Sequence, residues 1–182
     1  KLLRCFEWGS EIDTLSSIAS AFSNFAKMPA QQNETLNVVE VVKLALDIFN
    51  EPYIHFLTEE EVLVAKMDRT QLIRVITNLV KNAIQAVPEV SDPRILVSVD
   101  SQGDMAMITV ADNGKGIEAE FKDKIFEPKF TTKSSGMGLG LGMVKTIVET
   151  YGGEISFTSQ SGKGSVFAVR IPKVKSSTTI TT

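Results

Sequence analysis

Apolar positions follow two periods along the chain, and the two alternate. Ile12, Leu15, Ile18, Ala19, Phe22, Phe25 and Ala26 recur every three or four residues, which predicts an amphipathic helix over 12–28, ended by Pro29. Residues 29–33 are polar and read as a linker, with a domain boundary near residue 30. Residues 36–49 read as a short strand running into a helix, and 53–57 with 62–65 as the two arms of a hairpin. Asp68 then opens a strong helix with Gln71 in the capping-box position. Leu72, Val75, Ile76, Leu79 and Ala83 form its apolar stripe as far as Pro88. Strands are predicted at 95–99 and 105–111, a helix at 139–151, and closing strands at 154–159 and 165–171. The glycine- and lysine-bearing stretch 112–136 exceeds an ordinary connection and reads as a functional lid or a disordered segment. The tail from Lys173, ending SSTTITT, should be loose. The alternation predicts an α/β fold, a mixed sheet covered on one face by helices and preceded by one amphipathic helix.

Composition narrows the function classes. At 182 residues and 43% apolar content the chain can build one full α/β domain with an appendage. A formal charge of −3, with lysines and arginines dispersed, offers no field for nucleic acid. Cys5 is the only cysteine, so no disulfide forms within the chain. No run approaches the roughly 18 apolar residues of a membrane span, and the start lacks a signal-peptide pattern. We therefore expect a cytoplasmic piece without direct membrane contact. A start at Lys1 inside a helical pattern suggests a fragment of a longer protein.

Three constellations carry candidate chemistry. Asn78, Lys81, Asn82 and Gln85 fall at helical spacing and share a polar stripe beside the apolar one. This is either a solvated face or a site in which Asn82 offers an amide oxygen to magnesium, an ion that takes hard oxygen ligands and shares them with phosphates. DNGKGI, residues 112–117 from Asp112 to Ile117, follows directly on a strand. It is either a surface turn or a purine pocket, where Asp112 accepts the adenine amine and Gly114 and Gly116 admit close backbone approach. GMGLGLG spans Gly136, Met137, Gly138, Leu139, Gly140, Leu141 and Gly142 and leads into a helix. Its freed amides and the positive helix end suit a polyphosphate, while close helix packing is the structural alternative. The run matches neither GxxxxGK[ST] nor GxGxxG. Between these, Phe126 and Phe130 are apolar handles that can dock the lid, and Lys129 and Lys133 can meet phosphates or simply solubilise the loop.

Taken in order, NLVKNAIQAV (78–87), DNGKGI (112–117), FEPKFTTK (126–133), GMGLGLG (136–142) and GKGSVFAVRIP (162–172) resemble the N box, glycine boxes and phenylalanine box of sensor histidine kinases. These catalytic domains belong to a wider ATPase superfamily shared with DNA gyrase, the MutL mismatch-repair proteins and a heat-shock chaperone. The resemblance covers 34–172, and EIDTLSSIASAFSNFAKMP before it resembles the second helix of the dimerisation and phosphoacceptor domain of NtrY-type kinases. The resemblance implies 1–30 as the end of that helical domain, 34–172 as the catalytic ATP-binding domain and 173–182 as a flexible tail. It implies a Bergerat-type two-layer sandwich holding ATP and Mg2+ between the N-box helix and the lid. Asn82 would be the metal ligand, Asp112 the adenine reader, Gly114 and Gly116 the pocket floor, and Gly138, Leu139 and Gly140 the phosphate cradle. Asn78 would support the phosphate end, with Lys81 and Gln85 nearby, and Thr132 and Lys133 would close over the nucleotide. Lys129, Met137 and Gly142 depart from the residues common at those places.

Relatives that hydrolyse ATP carry a glutamate four residues before the magnesium asparagine, where this chain has Asn78, a poor general base. The resemblance therefore implies transfer of the γ-phosphate to a histidine, for relay to the aspartate of a response-regulator receiver domain, by a kinase that dimerises through the N-terminal helix and whose parent is membrane-anchored. His55, the only histidine, falls on a predicted strand and reads as structural, so the acceptor lies outside the chain, which by itself lacks autophosphorylation. The competing readings are a module that uses ATP only to gate a contact, and an ATP hydrolase.

Overall fold

The computed structural model describes residues 32–127 and 138–174. The predicted helix at 12–28, the stretch that holds Lys129, Phe130, Thr132, Lys133, Gly136 and Met137, and the tail beyond Val174 lie outside the described residues. The chain divides into two units between Gln31 and Gln32, and every described residue belongs to the second.

Strand β1 (Glu34–Asn37) runs into helix α1 (Val38–Leu46). Asn37 makes the turn: its Oδ1 accepts the N–H of Val39 at 3.1 Å and of Leu63 at 3.2 Å, capping the helix and tying in the segment before β3 (Val64–Met67). Val38, Val39, Val41, Val42 and Ala45 are buried, the stripe expected of a helix with one face on a core. Helix α2 (Arg69–Ile84) begins where the sequence places it, with Asp68 Oδ1 accepting the N–H of Thr70 at 2.8 Å and of Gln71 at 3.1 Å. The reciprocal half of the capping box is not made. Gln71 lies on the buried face with Leu72, Val75 and Ile76, only 5% exposed, and its Oε1 has no hydrogen-bond partner among the described residues.

The main sheet holds β2 (Ile54–Leu57), β4 (Ile95–Gln102), β5 (Met105–Asp112), β6 (Glu154–Gln160) and β7 (Gly164–Pro172) in the order β2-β4-β5-β7-β6. β2 pairs with β4 in parallel and every other pair is antiparallel, so the sheet is mixed as predicted. One face packs on the helices. Ile95, Val97 and Val99, then Ala106, Ile108 and Val110, then Phe167, Val169 and Ile171 alternate inward and are buried. Helix α2 lies against β5, and α3 (Gly140–Thr150) against β6 and β7. On the opposite face, Leu57, Leu96 and Val166 are exposed.

The predicted hairpin is corrected. β2 and β3 do not pair with each other: β3 runs antiparallel to β1 in a separate two-stranded sheet, and β2 takes an edge of the main sheet. The intervening TEEEVL contains no glycine, asparagine or proline to make a tight reversal. Instead Thr58 Oγ1 donates to the carbonyl of Val99 at 2.6 Å, holding the chain end of β2 to β4. Within the stretch after Asp112, residues Ala119–Lys124 form a short 3-10 helix.

Candidate functional site

Of the polar residues singled out in the sequence, Asp112 lies at one end of the helix-facing side of the sheet. Pairing places Ile95, Asp112, Ser165 and Ser159 in a single row across β4, β5, β7 and β6. The row begins on the buried Ile95 and then turns polar, although it faces the helices. Asp112 therefore continues the inward face of Ala106, Ile108 and Val110, which puts a half-buried carboxylate at the mouth of the interlayer space. Its Oδ1 accepts the N–H of Gly114 at 2.9 Å, and the carboxylate also accepts the N–H of Ser165. Burial pushes its pKa above the ordinary value of 3.8, a rise those two hydrogen bonds offset only in part.

The loop after Asp112 is held by its neighbours on both sides. Lys115 donates its N–H to the carbonyl of Ala86 at 2.9 Å and accepts from the N–H of Gly162 at 2.7 Å. Asn113 ties the loop to the start of β4, donating to Asp92 O at 2.8 Å and accepting from Arg94 N–H at 2.8 Å. The glycines answer to this packing. A Cβ on Gly114 would collide with the carbonyl of Ala86, and one on Gly116, at φ +68°, with the carbonyl of Gln160. Their small size is thus required by contacts within the chain, a reason that the pocket-floor reading did not include. The half-buried Ile117 ends the segment.

On the helical side, Asn78 and Asn82 lie one turn apart on α2 and are half-buried, whereas Lys81 and Gln85 of the same stripe are exposed. Asn78 Nδ2 donates to Arg74 O at 2.8 Å, and a Cβ on Gly140 would stand 3.0 Å from Asn78 Oδ1. The amide oxygen of Asn78 thus faces the first turn of α3. That turn begins after Leu139 with no side-chain cap, and Gly138 before it has φ +65°. Gly138, Leu139, Gly140 and Leu141 are all half-buried here. A glycine-bearing helix start that no described side chain caps, facing Asn78, can receive an anion.

Magnesium fits this donor set in one way. Among the described residues no group of three His, Cys, Asp or Glu could hold a metal ion. Asn82 would supply a single hard oxygen, with phosphate oxygens and retained waters completing the shell, as is usual for this ion.

The described start of the lid is anchored by aromatics. Ile125 is buried, and Phe126 meets Phe157 edge-on at 5.8 Å, which stacks on Phe167 at 5.7 Å. Lys145 of α3 lies over the Phe126 ring, 5.8 Å from its centre. Phe126 thus packs on the sheet, whereas Phe130 falls outside the described residues. His55 is exposed on the edge strand β2 rather than on a helix, so it serves neither the core nor the assembled polar row. Sequence reasoning missed Ser159 and Ser165. Period-two alternation with Phe157 and Phe167 was the signal that places both on the inward face.

A family model described as histidine kinase-, DNA gyrase B-, and HSP90-like ATPase matches residues 67–175. The chain is 33% identical over 171 residues to the sensor histidine kinase ZraS of Salmonella typhimurium, covering 90% of this chain and 36% of ZraS. It is 29% identical over 163 residues to the nitrogen regulation protein NtrY of Azorhizobium caulinodans, covering 85% of this chain and 21% of NtrY. It spans 21–39% of the length of eight curated relatives that it matches. Among solved structures, the nucleotide-free catalytic domain of histidine kinase ThkA superposes with a TM-score of 0.69 at 34% identity, covering 78% of this chain and 96% of that one. ThkA in complex with the response regulator protein TrrA superposes with a TM-score of 0.73 at 29% identity, covering 91% and 49%.

Proposed function

This chain belongs to the histidine kinase-, DNA gyrase B-, and HSP90-like ATPase family, among its histidine kinase catalytic domains, and from that premise we propose that it presents the γ-phosphate of ATP to a histidine on another segment. The observations that carry the reading are the half-buried carboxylate ending β5, whose following loop is tied to Ala86 just past α2, and the glycine-bearing start of α3 facing Asn78 on that same helix. The carboxylate accepts the adenine amine, and the α3 start with Gly138, Leu139 and Gly140 takes the phosphates. Asn82 would hold Mg2+, which when bound neutralises charge on the phosphate oxygens. Lys81, Gln85, Thr132 and Lys133 are the further contacts proposed from the sequence.

Asn78 argues for transfer rather than hydrolysis. An amide cannot take a proton from water at neutral pH, and its oxygen already faces the α3 start. A histidine nitrogen brings its own nucleophilic lone pair and forms the N–P bond as ADP leaves, so positioning and electrostatics do most of the work. By the same proposal the phosphoryl group passes to a response-regulator aspartate, the intact kinase dimerises through the helix at 12–28, and the parent is anchored in a membrane. ThkA, solved with TrrA, supports the choice of partner. No described helix is long and apolar enough to cross a membrane.

The test is to mix the purified chain with γ-labelled ATP, Mg2+ and the separately produced phosphoacceptor domain of the parent kinase. Acid-labile label on the acceptor histidine is expected, unchanged by His55→Ala. Nucleotide binding without any labelled histidine would instead favour the module that uses ATP to gate a contact.

A further inference from the structure

We infer that Ser159 is a positioning residue for adenine recognition, acting through the loop that follows Asp112. The inference rests on the nucleotide reading above. Ser159 sits at the inward end of β6, opposite Ser165, whose own backbone N–H holds the Asp112 carboxylate. Its hydroxyl accepts the N–H of Ile117 at 2.9 Å, fixing the far end of the loop whose near end is Asp112. The same Oγ lies 3.0 Å from the Gly164 carbonyl and 3.0 Å from Ser165 Oγ, so its single proton has two acceptors and its lone pairs stay available to Ile117. The main-chain carbonyl of Ser159 accepts Lys122 Nζ at 2.6 Å, which brings in the 3-10 helix of the lid.

The turn around Ser159 leaves the loop little room to settle elsewhere. The Gly162 N–H donates to Lys115 O, and Gly116 and Gly164 lie so close to Gln160 O and Asp112 O that neither admits a Cβ. Ile117 N–H, by contrast, depends on one side-chain hydroxyl. Removing that hydroxyl leaves a backbone donor unpaired at the end of the loop, and the loop then holds Asp112 and the base-facing backbone less firmly. The group most sensitive to that change is the carboxylate, whose correct placement distinguishes an amine from a carbonyl on the purine ring.

The experiment measures ATP and GTP affinities, the latter by competition, for wild type, Ser159→Ala and Ser159→Thr, with thermal midpoints recorded alongside. GTP carries a carbonyl where adenine carries its amine, and an N1–H and a 2-amine besides, so it cannot repeat the amine contact with Asp112 and serves as the comparison for a general loss of nucleotide binding. Loss of one hydrogen bond predicts about a five- to tenfold fall in ATP affinity for Ser159→Ala, with GTP affinity changed less than about twofold and ATP binding restored in Ser159→Thr. Unchanged ATP affinity in Ser159→Ala overturns the inference, as do equal losses of ATP and GTP. If Ser159→Ala does not fold, Ser159→Cys replaces it, and its weak sulfur acceptor predicts a loss of the same selective kind. A wild-type chain that binds no ATP would sink the proposed function and this inference together, whereas wild-type binding with an indifferent Ser159→Ala sinks the inference alone.

Discussion

Asp112 carries its charge where burial disfavours it. Because its pKa in the fold is raised above 3.8, the stabilising form is the protonated one. That contribution is present below about 3.8 and is lost as the pH rises through the raised value, so at neutral pH the carboxylate weighs against the fold. Asp112→Asn removes the charge while keeping an oxygen for Gly114 N–H. We expect the thermal midpoint of the ligand-free variant at pH 7 to equal or exceed that of wild type. ATP affinity by calorimetry should meanwhile fall at least about tenfold, the worth of a hydrogen bond to a charged group. The same shift sets a pH dependence. Wild-type ATP affinity should weaken as the pH is lowered through the raised pKa, because a protonated carboxyl loses acceptor capacity; the profile of Asp112→Asn should lack that component. A variant as tight as wild type would remove Asp112 from the base contact. At this scale the sequence was informative where chemistry is marked by residue type. Asp112, Asn78 and Asn82 stood out, whereas Ser159 and Ser165 look like any strand serines until pairing puts them in the row of Asp112.

Elements depend on places where chain meets chain, and the glycines show which places are rigid. Gly164 has φ +103° and a Cβ there would run into the carbonyl of Asp112, whereas Gly103, at φ +57°, has nothing near it. In urea melts, Gly164→Ala should lose about 3 kcal/mol or more through strain and overpacking, and Gly103→Ala only about 1 kcal/mol for its left-handed backbone. Similar losses at the two sites would mean that the turn after β6 yields freely. The aromatic run gives a second measurement. Phe126 is half-buried on Phe157, so Phe126→Ala should cost about 1–2 kcal/mol, below the range for a fully buried phenylalanine. If Phe126 docks the lid, that variant should also bind nucleotide more weakly. Element by element, α2 was legible because its Asp68 cap and its apolar stripe agree, and α3 because its glycines end where its helical period begins. The pairing of β2 was not. Four alternating residues specify a strand and its faces but not its neighbour, and here the neighbour lies across the whole of α2 in the sequence.

At the scale of the whole unit, the site joins segments far apart in the chain. The loop after β5 is tied to the residue just past α2 and to the turn between β6 and β7, and the start of α3 faces Asn78 of α2. The sequence marked the segments of the proposed site as ordered motifs; it did not show that Gly114 and Gly116 serve the chain's own contacts. A ligand bridging these segments should stabilise them jointly. For a ligand that binds only the folded state, a free concentration 100 times Kd adds about 2.7 kcal/mol. Thermal melts with ATP should therefore rise, and rise further with Mg2+ than with a chelator. Asn82→Ala tests where that difference resides. It should retain the upshift produced by ATP alone and lose the increment due to Mg2+, whereas Asp112→Asn should lose most of both, because it severs the base rather than the metal. If Asn82→Ala kept the full magnesium increment, the ion would be held by other groups, and the polar stripe of α2 would be left as a helix face that supports the phosphate end through Asn78 alone.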